Sequence, residues 1–416
     1  MISTVRLRPR SVAVALIALS GIALAILASR TGTPWSRDTM TVSAPLVTLS
    51  AVALTESALR DRDIEFYTRR ANEDHESATD RLTLAGLLFT RSRTTGSTRD
   101  LAKAEALVRE SIALRSQRNG HAFEVLASIL MARHAFGEAH TIAARADSLE
   151  PGTASHLALL GEIELELGAY DAAAAHFKAV HYSGQQFTVG ARVARWYEIT
   201  GRASIAREIL TRAIVDVDQR DDLPREQVAW FHYRLGELEL RLGNLAAADS
   251  AFHRGLAVHR EDIRVLGGLA RTALARGNWR KAIEYGDEAI AIQLDPTALG
   301  TLAEAYSALG DSAQAAGYAS AMSVSALTQP GAIHRLWGLY LLDHGSAADR
   351  VDVLQRARRD IAERRDVYGH DLLAWALYRT GNVGEAKREM QLAQSQHTED
   401  VMLASHAAAL DTAVVR

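Results

Sequence analysis

Between Ala154 and Phe187 the chain reads ASHLALLGEIELELGAYDAAAAHFKAVHYSGQQF, and its apolar and small positions fall on two helical stripes. Leu157, Leu160, Gly161 and Glu164 share one face of a first helix at three- and four-residue spacing. Gly168 ends that helix, because a residue without a side chain adopts the left-handed conformation at little steric cost. Tyr170 opens a second helix, and Ala173, Phe177 and Val180 line its inward face. The arrangement returns along the chain. Gly168, Gly201, Gly243, Gly277, Gly310, Gly345 and Gly381 are separated by 33, 42, 34, 33, 35 and 36 residues. Six of them have an alanine five residues later (Ala173, Ala206, Ala248, Ala282, Ala315 and Ala386); the exception has Arg350. A period near 34 residues predicts stacked helix pairs, each too small to bury its apolar face alone. The 42-residue interval contains Asp216–Glu226, a charged stretch with Pro224 that reads as a longer loop or an extended helix.

Composition supports an all-α reading. Alanine is abundant, aromatic residues make up 6% of the 416-residue chain, and only seven prolines interrupt it; alanine is the strongest helix former and lets helices approach closely. The expected fold is a right-handed α-solenoid of about eight to nine helix pairs, with one extra helix near 55–73 and a closing helix near 399–413. Neighbour-only contacts would make it extended and elastic. The formal net charge of −3 predicts no nucleic-acid partner. The absence of cysteine excludes disulfides, thiolate metal sites and cysteine nucleophiles.

Charge and hydropathy single out the amino terminus. Residues 11–29, SVAVALIALSGIALAILAS, carry no charge and follow Arg6, Arg8 and Arg10. Nineteen residues roughly match the bilayer hydrocarbon core as a helix. Signal-peptide hydrophobic regions are usually shorter, about 7–15 residues, and Ile26-Leu27-Ala28 is a poor cleavage site. The segment therefore reads as an uncleaved signal anchor with its arginines in the cytoplasm and the body outside. The alternative is a secreted product cleaved near residues 28–30. With the first thirty residues set aside, 43 basic residues face 50 acidic ones, leaving the body at about −7. The chain thus divides into a signal anchor or signal peptide (1–30), a linker (31–54) with Gly32, Pro34 and Pro45, and the solenoid (55–416).

The repeat resembles the tetratricopeptide repeat, with a small residue at position 8, glycine near 15, alanine at 20 and an apolar residue at 24. Leu235, Gly236, Gly243, Ala248 and Phe252 match in register, as do Leu269, Ala270, Gly277, Trp279, Ala282 and Ala289. So do Leu302, Ala303, Tyr306, Gly310 and Ala315, and Leu373, Ala374, Leu377, Gly381, Ala386 and Ala393. The segment 187–220 fits through Ala194, Tyr197, Gly201, Ala206 and Ala213. An earlier unit lacks the glycine but keeps Phe123, Leu126, Ala127, Ala139 and Ala146. A first, degenerate unit spans about 81–118 and reads as split by a polar insert, Ser92–Arg99. Asp63–Arg69, Asp366-Val367-Tyr368 and Ala374–Tyr378 resemble a group of exported bacterial tetratricopeptide proteins. That resemblance implies a bacterial cell-envelope protein and supplies no activity.

No G-x-S-x-G, H-E-x-x-H or phosphate-loop motif is present, so neither an enzyme nor a cofactor is expected. The histidine pairs His134/His140, His176/His181 and His253/His259 are spaced too far apart to stack on one helical face, so no metal is expected. The resemblance implies a concave groove that takes a protein or peptide. Carried over position by position, it places Arg192, Arg195, Trp230, Tyr233, Arg234, Arg264 and Arg271 on that groove, with Tyr368 and Trp375 as a second contact area; core packing is an equal reading for Trp375. Five arginines from three successive units suit carboxylates or phosphates, and the same arginines could instead pair with Glu198, Glu237 and Glu239. The lysines and asparagines of the chaperone-tail clamp are absent, which disfavours such an adaptor. The leading function is a membrane-anchored, non-catalytic scaffold for a protein or peptide partner that carries acidic groups. The alternative is an accessory subunit of a membrane transport or assembly complex.

Overall fold

The computed structural model describes residues 55–180, 187–328 and 333–413. They form twenty α-helices. A leading helix, α1 (Glu56–Glu73), precedes nine helix pairs. Unit 1 is α2 (Ala78–Thr95) and α3 (Thr98–Leu114); unit 2 is α4 (Gly120–Ala132) and α5 (Phe136–Leu149); unit 3 is α6 (Ala154–Glu166) and α7 (Tyr170–Ala179). Unit 4 is α8 (Phe187–Ile199) and α9 (Ala203–Val217); unit 5 is α10 (Arg225–Arg241) and α11 (Leu245–Val258); unit 6 is α12 (Ile263–Ala275) and α13 (Trp279–Ile292). Unit 7 is α14 (Pro296–Ala308) and α15 (Ser312–Leu327); unit 8 is α16 (Arg335–His344) and α17 (Ala347–Asp360); unit 9 is α18 (Val367–Arg379) and α19 (Val383–Ala393). The closing helix is α20 (Val401–Thr412). Among the described residues no helix is long and apolar enough to cross a membrane; the proposed anchor at 11–29 lies outside them.

The spacing in the sequence becomes packing in a simple way. Six of the seven timing glycines are left-handed, with φ between +66° and +91°. The seventh, Gly345, is extended at φ −74°, and it belongs to the unit that carries Arg350. There a Ser346–Asp349 capping box starts α17, and Arg350 donates to the Leu342 carbonyl at 3.0 Å. Ala173, Ala206, Ala248, Ala282 and Ala386 are fully buried. At Gly236 and Gly268 a Cβ would lie 2.4 and 2.5 Å from the Phe252 ring, so the small positions of two consecutive units hold one aromatic side chain between them.

Two expectations need correction, and a third is filled in. Ser92–Arg99 is not an insert: α2 runs to Thr95 and α3 starts at Thr98, and Gly96, at φ +67°, is the turn glycine of unit 1. In unit 2 the left-handed turn position is filled by His134, at φ +60°. Ala315 is only half-buried, because α15 and α16 barely touch and the stack loosens between units 7 and 8. The long interval before Gly243 is both a loop, 218–224, and two lengthened helices, α9 and α10.

The array is also not held by neighbour contacts alone. A Cβ on Gly168 would sit 2.4 Å from the Arg365 carbonyl oxygen, and one on Gly201 would sit 2.5 Å from that of His397. One on Gly96 would sit 3.1 Å from Gln293 Nε2. The turns of units 1, 3 and 4 therefore meet the loops that follow units 6, 8 and 9, a constant offset of five units. Polar contacts repeat the offset. Arg364 Nε donates to Glu166 at 3.1 Å, Thr398 Oγ1 to the Ile199 carbonyl at 2.5 Å, and the Ala203 amide to Glu399 at 3.2 Å. At the other end, Glu56 accepts from the Arg225 amide at 2.7 Å, and Arg60 pairs with Glu226 at 2.7 Å. Neither α9 nor α10 has a capping side chain of its own, so Glu399 and Glu56 supply from a distance the acceptors their first turns lack. Val367 and Tyr368 join the apolar cluster of units 3–5 across this seam.

Candidate functional site

The inner faces of units 5–8, with Arg195 of unit 4 and residues of unit 9 and α20, line a half-open cavity of about 1270 Å³. That exceeds the roughly 300–1,000 Å³ of common small-ligand sites. Small residues make the room: Gly300, Ala303 and Ala308 on α14, and Ala315, Ala316 and Ala319 on the splayed α15. Leu274, Met322, Leu339, Trp279 and Tyr340 give one wall an apolar surface.

The opposite wall is an ion network. Glu198, buried on α8, is 3.1 Å from Arg195, 3.2 Å from Arg234 and 2.8 Å from Arg241. Burial alone would raise its carboxyl; Arg241, Arg195 and Arg234 outweigh that and hold it down to about 2. Arg271 bonds Glu237, which is lowered against its own burial by Arg271 and Arg241. Four arginines thus converge on Glu198 and Glu237, and Arg195 also lies 3.9 Å from Glu166. Farther along, Arg335 donates to the buried Asp371 at 2.5 and 3.0 Å, and His406 is 2.8 Å from the same carboxylate. Arg335 and Arg195 also lie over the Tyr368 ring, at 4.5 and 5.3 Å. Trp375 stacks on His406 at 4.2 Å and donates Nε1 to Asp343 at 2.9 Å.

Burial pushes the Tyr368 hydroxyl up to about 12. The same hydroxyl, Asp400 Oδ2 and the Nε atoms of Arg241 and Arg271 have no hydrogen-bond partner among the described residues. Buried polar atoms left unpaired are costly and uncommon, so this wall has capacity for water or a polar occupant.

Of the residues singled out from sequence, Arg195, Tyr233, Arg234, Arg271, Tyr368 and Trp375 line the cavity. Arg192, Trp230 and Arg264 are not part of its lining. Arg192 turns to Glu162 at 2.8 Å. Arg264 binds Asp262 at 2.5 and 2.9 Å, the residue that caps its own helix. Trp230 packs edge-on against Phe231 beside the core of units 4 and 5. The five arginines therefore do not form a free positive patch; Glu198 and Glu237 are built into the wall. Glu239 is not among these partners, since it pairs with Arg207 and accepts from Asn244 at 2.8 Å.

Sequence reasoning missed Arg241, Arg335 and Arg364, all of which line the cavity. Arg241 lies one helical turn beyond Glu237 and two beyond Arg234 on α10, a visible signal. Arg335 and Arg364 are brought in by the closure of the array, which no local pattern encodes. His140 and His176 do not join the histidines near them in sequence; both contact Glu164, at 3.1 and 2.6 Å. His181 lies outside the described residues.

Neither a family model nor a curated protein matches the sequence. Among solved structures, a chain of the APC/C hetero-tetramer Cut9-Hcn1 is 15% identical, at a TM-score of 0.48, over 85% of this chain and 59% of that one. This chain therefore spans less than two thirds of that one. The pilF protein of Pseudomonas aeruginosa matches at 16% identity and a TM-score of 0.41, over 50% of this chain and 93% of that one. The human IFIT1 dimer with PPP-AAAA matches at 12% and 0.43, over 81% and 95%. These likenesses are slight; what the structure itself has, among the described residues, is nine helix pairs, a left-handed residue between the two helices of most units, and a buried alanine at the same place in the second helix of most units. That geometry is the stacked helix-pair architecture that the resemblance to the tetratricopeptide repeat implied.

Proposed function

We propose that this protein is a non-catalytic interaction scaffold that holds an acidic segment of a partner protein in the half-open cavity lined by units 5–8. The observation that carries this reading is the ratio of charges on the wall. Arg195, Arg234, Arg241 and Arg271 converge on Glu198 and Glu237, with Glu166 at 3.9 Å from Arg195 as the one further carboxylate paired with them. A partner carboxylate would supply the missing counter-charge, and the apolar wall with Trp279 and Tyr340 would take the neighbouring side chains. Charge-assisted bonds to arginine are among the stronger hydrogen bonds. Solvent screening makes such binding salt-dependent.

The test compares labelled glutamate–alanine and lysine–alanine peptides of equal length by fluorescence anisotropy. The acidic peptide is expected to bind, more weakly as salt rises, and the basic one is not. Equal affinity for both peptides, or none for the acidic one, overturns the reading.

The uncharged run 11–29 behind three arginines supports a signal anchor that places the scaffold outside the cytoplasm. A carbonate wash should leave the protein in the membrane fraction, and protease added outside the inner membrane should digest the body. A soluble product beginning near residue 30 would replace the anchor with a cleaved signal.

A further inference from the structure

α15 is alone among the described helices in carrying no charged residue. Its surface is nonetheless largely open. The buried residues of α11 are Ala248, Ala251, Phe252 and Gly255, spread along that helix. In α15 they are Met322 and Ala326, and from Ser312 to Ala321 none is buried. A helix face left to solvent ordinarily carries charged and polar side chains, whereas the centres of protein interfaces are depleted of charge.

The first helix of unit 8 does not cover this stretch. α16 packs on α14, where a Cβ on Gly300 would lie 3.0 Å from the Tyr340 ring, and it barely touches α15. The space between α15 and α16 belongs to the main cavity: Ala315, Ala316 and Ala319 line it from one helix, Leu336 and Leu339 from the other. Ala316 is both exposed and part of the lining, as are Ser307 and Ala308 at the end of α14, so the cavity opens to solvent beside α15. A second sign of an occupant is independent of this composition. Tyr368 and Asp400, each more than nine-tenths buried, line the same cavity and have side-chain oxygens without a hydrogen-bond partner among the described residues.

We infer that the acidic segment of the partner is an α-helix, and that it lies in this opening along α15, where the neighbouring unit leaves that helix uncovered. The inference rests on the acidic-segment reading above and adds the form of the segment and its seat. The walls decide the form. An extended segment would set its backbone N–H and C=O groups against alanines and leucines that offer no partner, whereas a helix satisfies those groups internally. The small side chains of Ala315, Ala316 and Ala319 let a helix approach closely. The size agrees. A helix about 10 Å across that rises 1.5 Å per residue fills roughly 120 Å³ per residue, so about 1270 Å³ holds about ten residues, the length of α16. Such a helix turns its apolar edge to α15 and α16 and its carboxylates to the arginine wall.

The test uses three labelled peptides of equal length with the full chain. One is a helix-forming peptide with leucines along one face and glutamates along the other. The second has the same sequence with a central proline, which breaks the helix. The third has lysine in place of every glutamate. By fluorescence anisotropy the first should bind about tenfold or more tightly than the second, and its ¹³Cα shifts should become helical on binding. Ala316→Trp should fill the opening and weaken the first peptide several-fold or more. The fold should tolerate it, because Ala316 is exposed. Ala313→Trp, on the same helix but outside the lining, should leave binding unchanged.

The outcomes separate the two readings. If the proline peptide binds as well as the unbroken one, the segment is not a helix; the inference is wrong and the acidic reading stands. If Ala316→Trp binds the first peptide as the wild type does, its seat is not beside α15 and the inference is likewise overturned. If the lysine helix binds as tightly as the glutamate helix and Ala316→Trp weakens both, the seat along α15 stands and the acidic reading falls. If no peptide binds, both are wrong.

Discussion

Gly168 and Gly201 offer a clean measurement of the seam, because Gly310 and Gly381 adopt the same backbone without it. All four end the first helix of a unit, with φ of +71°, +66°, +82° and +91°. Alanine at any of them carries the left-handed strain, about 1–2 kcal/mol. At Gly310 and Gly381 nothing lies within 4 Å of a new Cβ, so strain is the whole cost. At Gly168 the Cβ would lie 2.4 Å from the Arg365 carbonyl oxygen, and at Gly201 2.5 Å from that of His397. Both obstacles are backbone and cannot rotate away. Overpacking of this kind costs about 1–3 kcal/mol more. The clash has an escape, which is to part units 3 and 4 from the loops after units 8 and 9; that gives up three polar contacts, each about 0.5–1.5 kcal/mol, so the excess has a ceiling of similar size. We expect Gly310→Ala and Gly381→Ala to lose about 1–2 kcal/mol in urea unfolding followed by circular dichroism. Gly168→Ala and Gly201→Ala should lose about 2–4 kcal/mol. They should also speed hydrogen exchange at Ala203, which the other two leave alone. Equal losses in all four variants would show that units 3 and 4 do not touch units 8 and 9 in solution.

Gly236→Ala should destabilise by about 1–3 kcal/mol, because its Cβ would meet Phe252 at 2.4 Å while Gly268 closes the ring's other side; Phe252→Leu should relieve it, and strict additivity in the double-mutant cycle would refute the sandwich. Ala248→Leu and Ala282→Leu should each cost about 1–3 kcal/mol by overpacking fully buried positions, and unchanged thermal unfolding in both would refute the tight contacts. Glu198 falls from the ordinary 4.5 to about 2 on folding, so the folded state binds its proton less readily than the unfolded chain. Its contribution, on the order of 3 kcal/mol, should be present above pH 4.5 and lost as pH falls toward 2. Glu198→Gln should lower stability at neutral pH and flatten the wild-type loss in that window, and parallel acid-unfolding curves would refute the assignment.

The unit of the fold was readable because it is local. A left-handed turn, a fully buried alanine and a large apolar residue four positions on are each a demand of one helix pair, and each demand selects a residue type. The pattern was harder to follow where another residue met the same demand or where the right residue sat in an unfamiliar setting. His134 takes the left-handed turn of unit 2 despite its side chain. Gly96 serves unit 1 but sits among serines, threonines and arginines that look like a polar insertion. Ala315 kept the pattern and lost the contact, since a half-buried alanine and an enclosed one are the same letter and only the placement of unit 8 distinguishes them.

The site was legible to a different depth. Arg195, Arg234 and Arg271 could be placed on the inner face from their positions in the repeat, but whether they were free depended on Glu198 and Glu237, which share that face. Nothing in the spacing says that Tyr368 and Asp400 would come to face Arg195 and Arg241, because that meeting depends on a small rotation per unit summed over five units. A rotation slightly larger or smaller would leave every helix, every buried alanine and every turn glycine as they are and carry Arg365 past Gly168. The same glycine therefore answers to two requirements. Its backbone angle is set by its own helix pair and was visible in the period of the sequence. Its missing Cβ also leaves room for a carbonyl nearly two hundred residues away, and that requirement is invisible until the array has closed. Reversing Arg195, Arg234 and Arg271 to glutamate would have looked harmless from sequence, since none occupies a repeat-packing position. In the closed array it would set three more carboxylates against Glu198 and Glu237, so the substitution reports on the integrity of the wall before it reports on any partner.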